Sequence, residues 1–207
     1  MYSDKASVDK KLGVCVARSR AFDPLRLLDT AVDLFWIKGY GDCSMNDLVA
    51  ASGVARYGIY QEFGDKDALY RAALQRYRQQ AVAMLNAKLK TPYGGFAEIC
   101  EYFQSFSILL QQGDRRGCLA CQAAVDRAQH DPLVADIVAA VMEDMRGAFG
   151  RAVTVGLARG ELRVLSKDAL VEFLVGLQRA LATMVRTSMP AAEINRYIQV
   201  SLTMLSR

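Results

Sequence analysis

Three groups of side chains in this sequence have the types and spacing to do chemistry. Cys118-Leu119-Ala120-Cys121 carries two thiols on neighbouring positions of one predicted helix, behind Arg115 and Arg116, and Cys100 lies on the helix before it. The thiolate is the reactive form of cysteine, and cationic neighbours or a helix start lower its pKa, so Cys118 is a candidate sensor of oxidants or electrophiles. The same residue also fits as a small apolar core residue. Arg56, Tyr57, Gly58, Tyr60 and Gln61 form a polar, aromatic run between Val54 and Phe63. The planar fork of Arg56 suits guanine or phosphate, although a solvated surface charge reads the same way in sequence. Phe103, Phe106, Met142, Met145 and Phe149 are candidates to line a ligand cavity, with Gln122 and Gln178 as polar insertions that can orient a ligand. The alternatives are plain core for the aromatic and Met residues and solvent exposure for the glutamines.

The sets of residues that enzymes use are not found. His130 is the single histidine, so neither a Ser-His-Asp set nor a His-rich zinc site can form. A Gly-rich phosphate loop is absent from the sequence. Thiol oxidoreduction by a C-x-x-C belongs at a strand-to-helix junction in a βαβ setting, which this pattern lacks. A metal held by the Cys118 and Cys121 thiolates is a minor alternative. The expectation is a protein without catalysis, cofactor or metal.

At 207 residues and 52% hydrophobic content, the chain can fill a substantial core, as one compact domain plus a small one. The net charge of +4, from 26 basic and 22 acidic residues, is too weak to name a partner by itself. Lys5, Lys10, Lys11, Arg18 and Arg20 make residues 1–20 a basic arm. Five cysteines at irregular spacing, with no apolar signal segment, fit a reducing compartment, and the cytoplasm is expected. A membrane span needs roughly 20 mostly apolar residues in a row, and charged residues or Gln interrupt every apolar stretch here.

Apolar residues recur every three or four positions almost throughout, so the expected fold is all-α, with about nine helices. Asp23-Pro24 starts the first, which Gly39 is expected to close. Ser44-Met45-Asn46-Asp47 is a capping-box start for a short helix to about Ser52. Gly53 breaks it, and a second short helix follows from Arg56 to Phe63. A rod is expected from Lys66 to about Lys90, then helices from Phe96 to Gln112, Gly117 to Ala128, Asp131-Pro132 to Arg159, Ser166 to Ser188, and from Pro190 onward. The last two carry wide apolar faces, Leu170/Phe173/Leu174/Leu177/Leu181 and Ile194/Tyr197/Ile198/Leu202/Leu205. Left uncovered, such faces exceed what monomers expose, so a dimer is expected to hide them.

Two short helices around a Gly turn, followed by a rod, are the layout of a helix-turn-helix, whose second helix enters a major groove about 12 Å wide. The residues Gly39-Tyr40, Ser44-Met45-x-Asp47-Leu48-Val49-Ala50-Ala51-Ser52-Gly53-Val54 and Ile59-Tyr60-x-x-Phe63-x-Asp65-Lys66-Asp67-Ala68-Leu69 resemble the signature of TetR-family regulators. That resemblance implies a DNA-binding unit at 21–67 and a ligand-sensing, dimerising unit at 68–207. It also implies that Tyr60 touches a DNA phosphate, where the residue type alone also allows a half-buried tyrosine. Arg56, Tyr57, Gly58 and Gln61 are the expected readers, and Ser44 and Lys66 stand at helix starts where phosphate can be held. Three positions depart from the family pattern or are unexpected near a groove: Ala55 replaces a common capping Ser, Tyr57 stands where many members have Gly, with Gly58 one step later, and Glu62 lies near the readers. Gly117-Cys118-Leu119 and Asp131-Pro132 resemble one subtype of the family's C-terminal domain, and the last two helices match its dimerisation pair. The function so implied is a regulator, a repressor by family habit, released from palindromic DNA by a small-molecule or thiol-reactive effector. A helical dimer that binds only a protein partner is the rival; sequence-dependent DNA binding that falls steeply with salt separates the two.

Overall fold

The computed structural model describes residues 22–163, 165–187 and 189–207, so the basic arm at 1–20 lies outside the described residues. Among those described there are nine helices: α1 (Pro24–Asp42), α2 (Met45–Ser52), α3 (Arg56–Phe63), α4 (Lys66–Lys88), α5 (Phe96–Gln111), α6 (Leu119–Asp126), α7 (Pro132–Ala158), α8 (Lys167–Met184) and α9 (Ala191–Leu205). None is long and apolar enough to cross a membrane. An antiparallel bridge, Leu162 to Ser206, ties the end of α9 to the segment after α7.

Side-chain caps start most of these helices where the sequence places them. Asp23 accepts from the Leu25 amide, Asp65 from Ala68 and Ser166 from Ala169. Ser44 and Asp47 make a reciprocal capping box, the Asp47 amide donating to Ser44 Oγ (3.1 Å) and the Ser44 amide to Asp47 Oδ2 (2.8 Å). Gly53, at φ 69°, ends α2 in a left-handed conformation that a residue without Cβ adopts at little penalty.

Three boundaries differ from expectation, each for a local reason. Gly39 does not close α1: it kinks it, at φ 81° and ψ 170°, and the chain resumes helix to Asp42. The kink tucks the Tyr40 ring against Phe35 and Tyr70, with centroids 6.3 and 4.9 Å away. α6 starts at Leu119 rather than Gly117, because Gly117 is left-handed (φ 67°) and Cys118 is extended. α8 stops at Met184 because the Thr187 hydroxyl donates to the Met184 carbonyl (2.7 Å) and accepts from the Met189 amide (3.2 Å), closing a turn.

α1 packs on α4, and α4 on α7, so one rod backs both halves of the molecule. Under α2 and α3 the core is Phe35, Leu48, Ile59, Leu69 and Tyr70, all buried, with Phe35 edge-on to Tyr70 at 4.9 Å. α7 and α8 pack together over Leu170, Leu174, Leu177 and Leu181, while α9 buries Ile194, Ile198, Leu202 and Leu205 within its own chain. Most of the apolar residues assigned from sequence to a dimer face therefore serve the monomer core. The large apolar residues of α8 and α9 left exposed are Phe173, Tyr197, Val200 and Met204.

Asp131 fastens α7 to α4. Its carboxylate caps the Leu133 and Val134 amides and pairs with Arg71 at 2.8 Å. Burial pushes its pKa up, but the Arg71 hydrogen bond and charge and the two amides outweigh this and hold it below the ordinary carboxylate value. A depressed folded-state pKa contributes stability above the unfolded value of about 3.9, and that stability is lost on acidification through the folded value. Asp131→Asn is thus expected to lower stability by about 1–2 kcal/mol at neutral pH. In denaturant titrations the gap from wild type is expected to close below about pH 4.

Candidate nucleic-acid interface and interior cavity

α3 is short and divides cleanly by face. Ile59 is buried and Phe63 half-buried, while Arg56, Tyr57, Tyr60 and Gln61 are exposed, Tyr57 at 76% and Tyr60 at 39%. Positions 56 and 60, and 57 and 61, are one helical turn apart, so the four share a surface. Gly58 does not project with them: a Cβ there would lie 3.2 Å from both the Phe22 ring and Val54 Cγ1, so this position faces the protein. Ala55 supplies no side-chain cap, which leaves the first amides of α3 open.

Arg56 Nη2 donates to Asn46 Oδ1 on α2 at 2.7 Å, across an exposed surface. Sequence reading missed Asn46, which is exposed on α2 while Met45 and Asp47 beside it are half-buried and Leu48 is buried. Ser44 is exposed, but its hydroxyl is engaged in the capping box, 2.7 Å from Asp47 Oδ2. Lys66 is half-buried: its Nζ donates to the Tyr40 carbonyl at 2.7 Å and sits 4.2 Å over the Tyr40 ring. Arg127 stacks against the same ring at 4.2 Å and pairs with Asp67 at 3.0 Å, and the Tyr40 hydroxyl also bonds Asp67. The turn after α6 is thereby attached to the start of α4. Glu62 is half-buried rather than displayed with the four exposed residues.

Behind this unit lies a cavity of about 100 Å³, walled by Trp36, Tyr77, Tyr102, Phe106, Met145 and Gln178 among others. Of the residues expected there from sequence, Phe106, Met145 and Gln178 line it. Phe103 and Phe149 do not: they are fully buried and stack on each other at 5.7 Å, as plain core. Met142 is likewise buried away from it. Gln122 also stands outside, its Nε2 donating to the carbonyls of Arg116 (2.9 Å) and Trp36 (3.4 Å). Gln178 is buried, not exposed, and its Oε1 accepts from the Tyr102 hydroxyl at 2.8 Å.

Trp36 was not legible as a cavity residue, because it belongs to α1. Its ring meets Tyr77 edge-on at 5.0 Å and carries the Arg116 guanidinium at 4.3 Å. Its carbonyl accepts from Arg186 (3.2 Å) as well as from Gln122. With the kink at Gly39 the helix ladder no longer runs regularly past this carbonyl, and side chains from α6 and from the turn after α8 hold it instead.

Cys118 is buried one layer behind the cavity wall, where the Tyr77 hydroxyl donates to its Sγ at 3.3 Å. Its pKa is lowered, first by the hydrogen bond from the Cys121 thiol, then by Tyr77 and the amides of Cys121 and Ala120, against the opposing effect of burial. Cys121 is pushed up by that same bond and by burial. The expected arginine effect is not the main cause. Arg116 is engaged with Asp114 and Asp33, and Arg115 with the Thr187 carbonyl. Cys43, Cys100, Cys118 and Cys121 are all free thiols, and burial raises the pKa of Cys43 and Cys100.

A polar short helix displayed beyond a Gly turn, braced by a rod and backed by an all-helical body, defines a helix-turn-helix DNA-binding protein. Residues 27–73 match the profile of bacterial regulatory proteins of the tetR family, and residues 95–200 that of the tetracyclin repressor-like C-terminal domain. The chain belongs to the TetR family of DNA-binding transcriptional regulators. It is 25% identical to the HTH-type transcriptional regulator YezE of Bacillus subtilis over 193 residues, 92% of this chain and 100% of that one. It is 42% identical to the HTH-type transcriptional repressor ComR of Escherichia coli over 79 residues, 36% of this chain and 38% of that one. In fold it is similar to a cysteine-substituted CifR solved with 26-bp double-strand operator DNA (TM-score 0.77, 24% identity, 91% of this chain and 100% of that one). It is also similar to the reduced form of E. coli NemR (TM-score 0.75, 17% identity, 88% and 96%).

Proposed function

We propose that the protein is a homodimeric repressor that holds a palindromic operator and lets go of it when an effector fills the cavity behind Trp36. Residues 21–67 act as the reading unit, with Arg56, Tyr57, Tyr60 and Gln61 at the groove and Ser44 and Lys66 near phosphates. Residues 68–207 sense and dimerise, through the exposed Phe173 of α8 and Tyr197, Val200 and Met204 of α9. Two-fold symmetry then sets half-sites roughly 34 Å apart or a multiple of that. The observation that carries this reading is the cavity wall itself: Trp36 comes from α1 of the reading unit, and Tyr77 and Leu85 come from the α4 rod. A ligand there touches both elements that aim α3, so occupation shifts the population of recognition-helix spacings. The operator complex of CifR and the repressor ComR support the DNA and repression parts of the reading.

The test is footprinting of the purified protein on DNA flanking its own gene, with and without candidate effectors and across a salt series. A palindromic footprint, lost with effector and falling steeply with salt, supports the proposal. Equal affinity for operator and random duplex, or a monomer at working concentration, sinks it.

Thiol chemistry is a second route to release, favoured by the lowered Cys118 pKa and the Tyr77 link from its sulfur to the cavity wall. The Cys118 thiolate adds to an electron-poor carbon, forming a C–S bond, and the resulting carbanion takes a proton from water. N-ethylmaleimide is then expected to abolish operator binding in the wild type and not in Cys118→Ser. An unchanged response in that variant removes the thiol route.

A further inference from the structure

The cavity carries information about what fits it. Its walls are mostly aromatic or apolar, and the exposed Met84 and Leu109 stand at its rim. Its charged lining residue, Asp114, is neutralised in place: Arg116 reaches it through Nε at 3.2 Å and Nη2 at 2.8 Å, and this bond keeps the carboxyl ionised below its usual range. A ligand therefore meets an ion pair already closed, with no open charge to answer. A charged ligand would give up its hydration for no partner, which is strongly unfavourable.

The hydroxyl groups of the lining have also placed their hydrogens within the protein. Tyr77 donates to Cys118 Sγ, Tyr102 to Gln178 Oε1, and Ser105 to the Tyr102 carbonyl at 2.6 Å. Gln178 is different. It is 5% exposed, its Oε1 is occupied by Tyr102, and its Nε2 has no hydrogen-bond partner among the described residues. Nor is that Nε2 fully sealed from solvent, as the indole nitrogen of Trp36 is. Among the described residues, the small exposure of this cavity-lining amide thus includes an N–H pair without an acceptor. The amide orientation follows from Tyr102, whose buried hydroxyl needs an acceptor and finds it in Oε1.

We infer that the effector is a neutral, single-ring aromatic molecule bearing a hydrogen-bond acceptor such as a carbonyl oxygen, which Gln178 Nε2 receives between the rings of Trp36, Tyr77 and Phe106. The size follows from the volume: about 100 Å³ is on the scale of the cavity of roughly 150 Å³ that takes up benzene in an engineered protein. This inference rests on the proposed effector role of the cavity and deepens it by naming the class of ligand.

Trp36 is the single tryptophan, so its fluorescence reports occupation directly, without DNA. The experiment titrates the full-length protein with methyl benzoate, propylbenzene and benzoate, following Trp36 emission. Methyl benzoate is expected to give a saturable change and to bind about three- to tenfold tighter than propylbenzene, the margin of one net hydrogen bond. Benzoate is expected to bind at least about 100-fold more weakly than the ester. In the paired variant Tyr102→Phe/Gln178→Met, which removes both ends of the internal bond and leaves neither group stranded, the ester is expected to lose its advantage over propylbenzene. Propylbenzene affinity there stays within about threefold of wild type, which also shows that the variant is folded. Equal binding of ester and hydrocarbon in the wild type, preferred binding of benzoate, an ester preference that survives in the paired variant, or no saturable change with any probe overturns the inference. Operator release is measured separately. Selective ester binding without release supports the ligand class and defeats the effector reading, whereas release by a ligand that leaves Trp36 emission unchanged overturns the ligand class alone.

Discussion

An Arg56→Ala/Tyr57→Ala variant is expected to lose on the order of 100-fold in operator affinity, taking about 1–3 kcal/mol for a bidentate base contact and a further stacking or phosphate contact, while melting at the wild-type temperature. Both side chains stand on the outer face of α3, and Tyr57 is 76% exposed, so neither contributes core area. Among the described residues the internal partner at risk is Asn46, which regains water when the Arg56 fork is removed. Surface substitutions of this kind usually change stability by about 0.5 kcal/mol or less, so DNA affinity and stability separate. Mobility-shift titrations of the two single variants on operator and random duplex distinguish the roles of the two residues. Loss on the operator alone marks a base reader; equal loss on both marks a phosphate contact, which for the cationic Arg56 also lowers the salt slope by about one. If affinity for both duplexes is unchanged, α3 does not face the groove. A Gln61→Ala variant on the same face provides a third reading of the surface.

What sequence made legible here are features set by neighbours within one helical turn. Ser44 and Asp47 cap each other three positions apart, and Gly53 stops α2 through its own φ, so both could be read directly. The polar run in α3 was legible as a run, but not which of its members faces inward. Gly58 was grouped with the readers because the packing of Phe22 and Val54 against it is tertiary. The cavity shows the limit more sharply. Phe103 and Phe106 belong to one helical stripe, yet Phe103 stacks into the core on Phe149 while Phe106 reaches the cavity, a division made by α7. Trp36 was unreadable for a related reason: its partners Tyr77, Arg116 and Arg186 lie on other elements, the last of them 150 residues away in sequence. Charge was misread in the same way. Arg115 and Arg116 precede Cys118 in sequence, but the fold turns them to Thr187, Asp114 and Asp33, and the thiol is tuned by Cys121 and Tyr77 instead.

Gly117→Ala is expected to destabilise the protein by about 2–5 kcal/mol, the sum of a left-handed alanine and a crowded helix contact. Gly117 stands at φ 67°, where a Cβ is disfavoured, and an added Cβ would lie 2.4 Å from the Ala182 carbonyl oxygen and 3.2 Å from Val185 Cγ2. The obstacle is α8 backbone, not a flexible side chain, so the start of α6 must move. At roughly 2–4 °C per kcal/mol for a chain of this size, the melting temperature falls by roughly 4–20 °C. Gly41→Ala is the matched control: it lies in α1 with nothing within 4 Å of its added Cβ, and replacing an exposed helical Gly by Ala stabilises by up to about 1 kcal/mol. The consequence extends beyond stability. Gly117 lines the cavity, and the Arg116 carbonyl just before it shares Gln122 and Arg186 with the Trp36 carbonyl. Displacing this turn therefore loosens the clamp between sensing helices and α1, so ligand binding read by Trp36 fluorescence is expected to persist at low temperature while operator release by the same ligand weakens. A Gly117→Ala protein that melts like wild type and responds fully would mean that α6 and α8 slide freely past one another, and that the signal from cavity to α3 travels through the α4 rod alone.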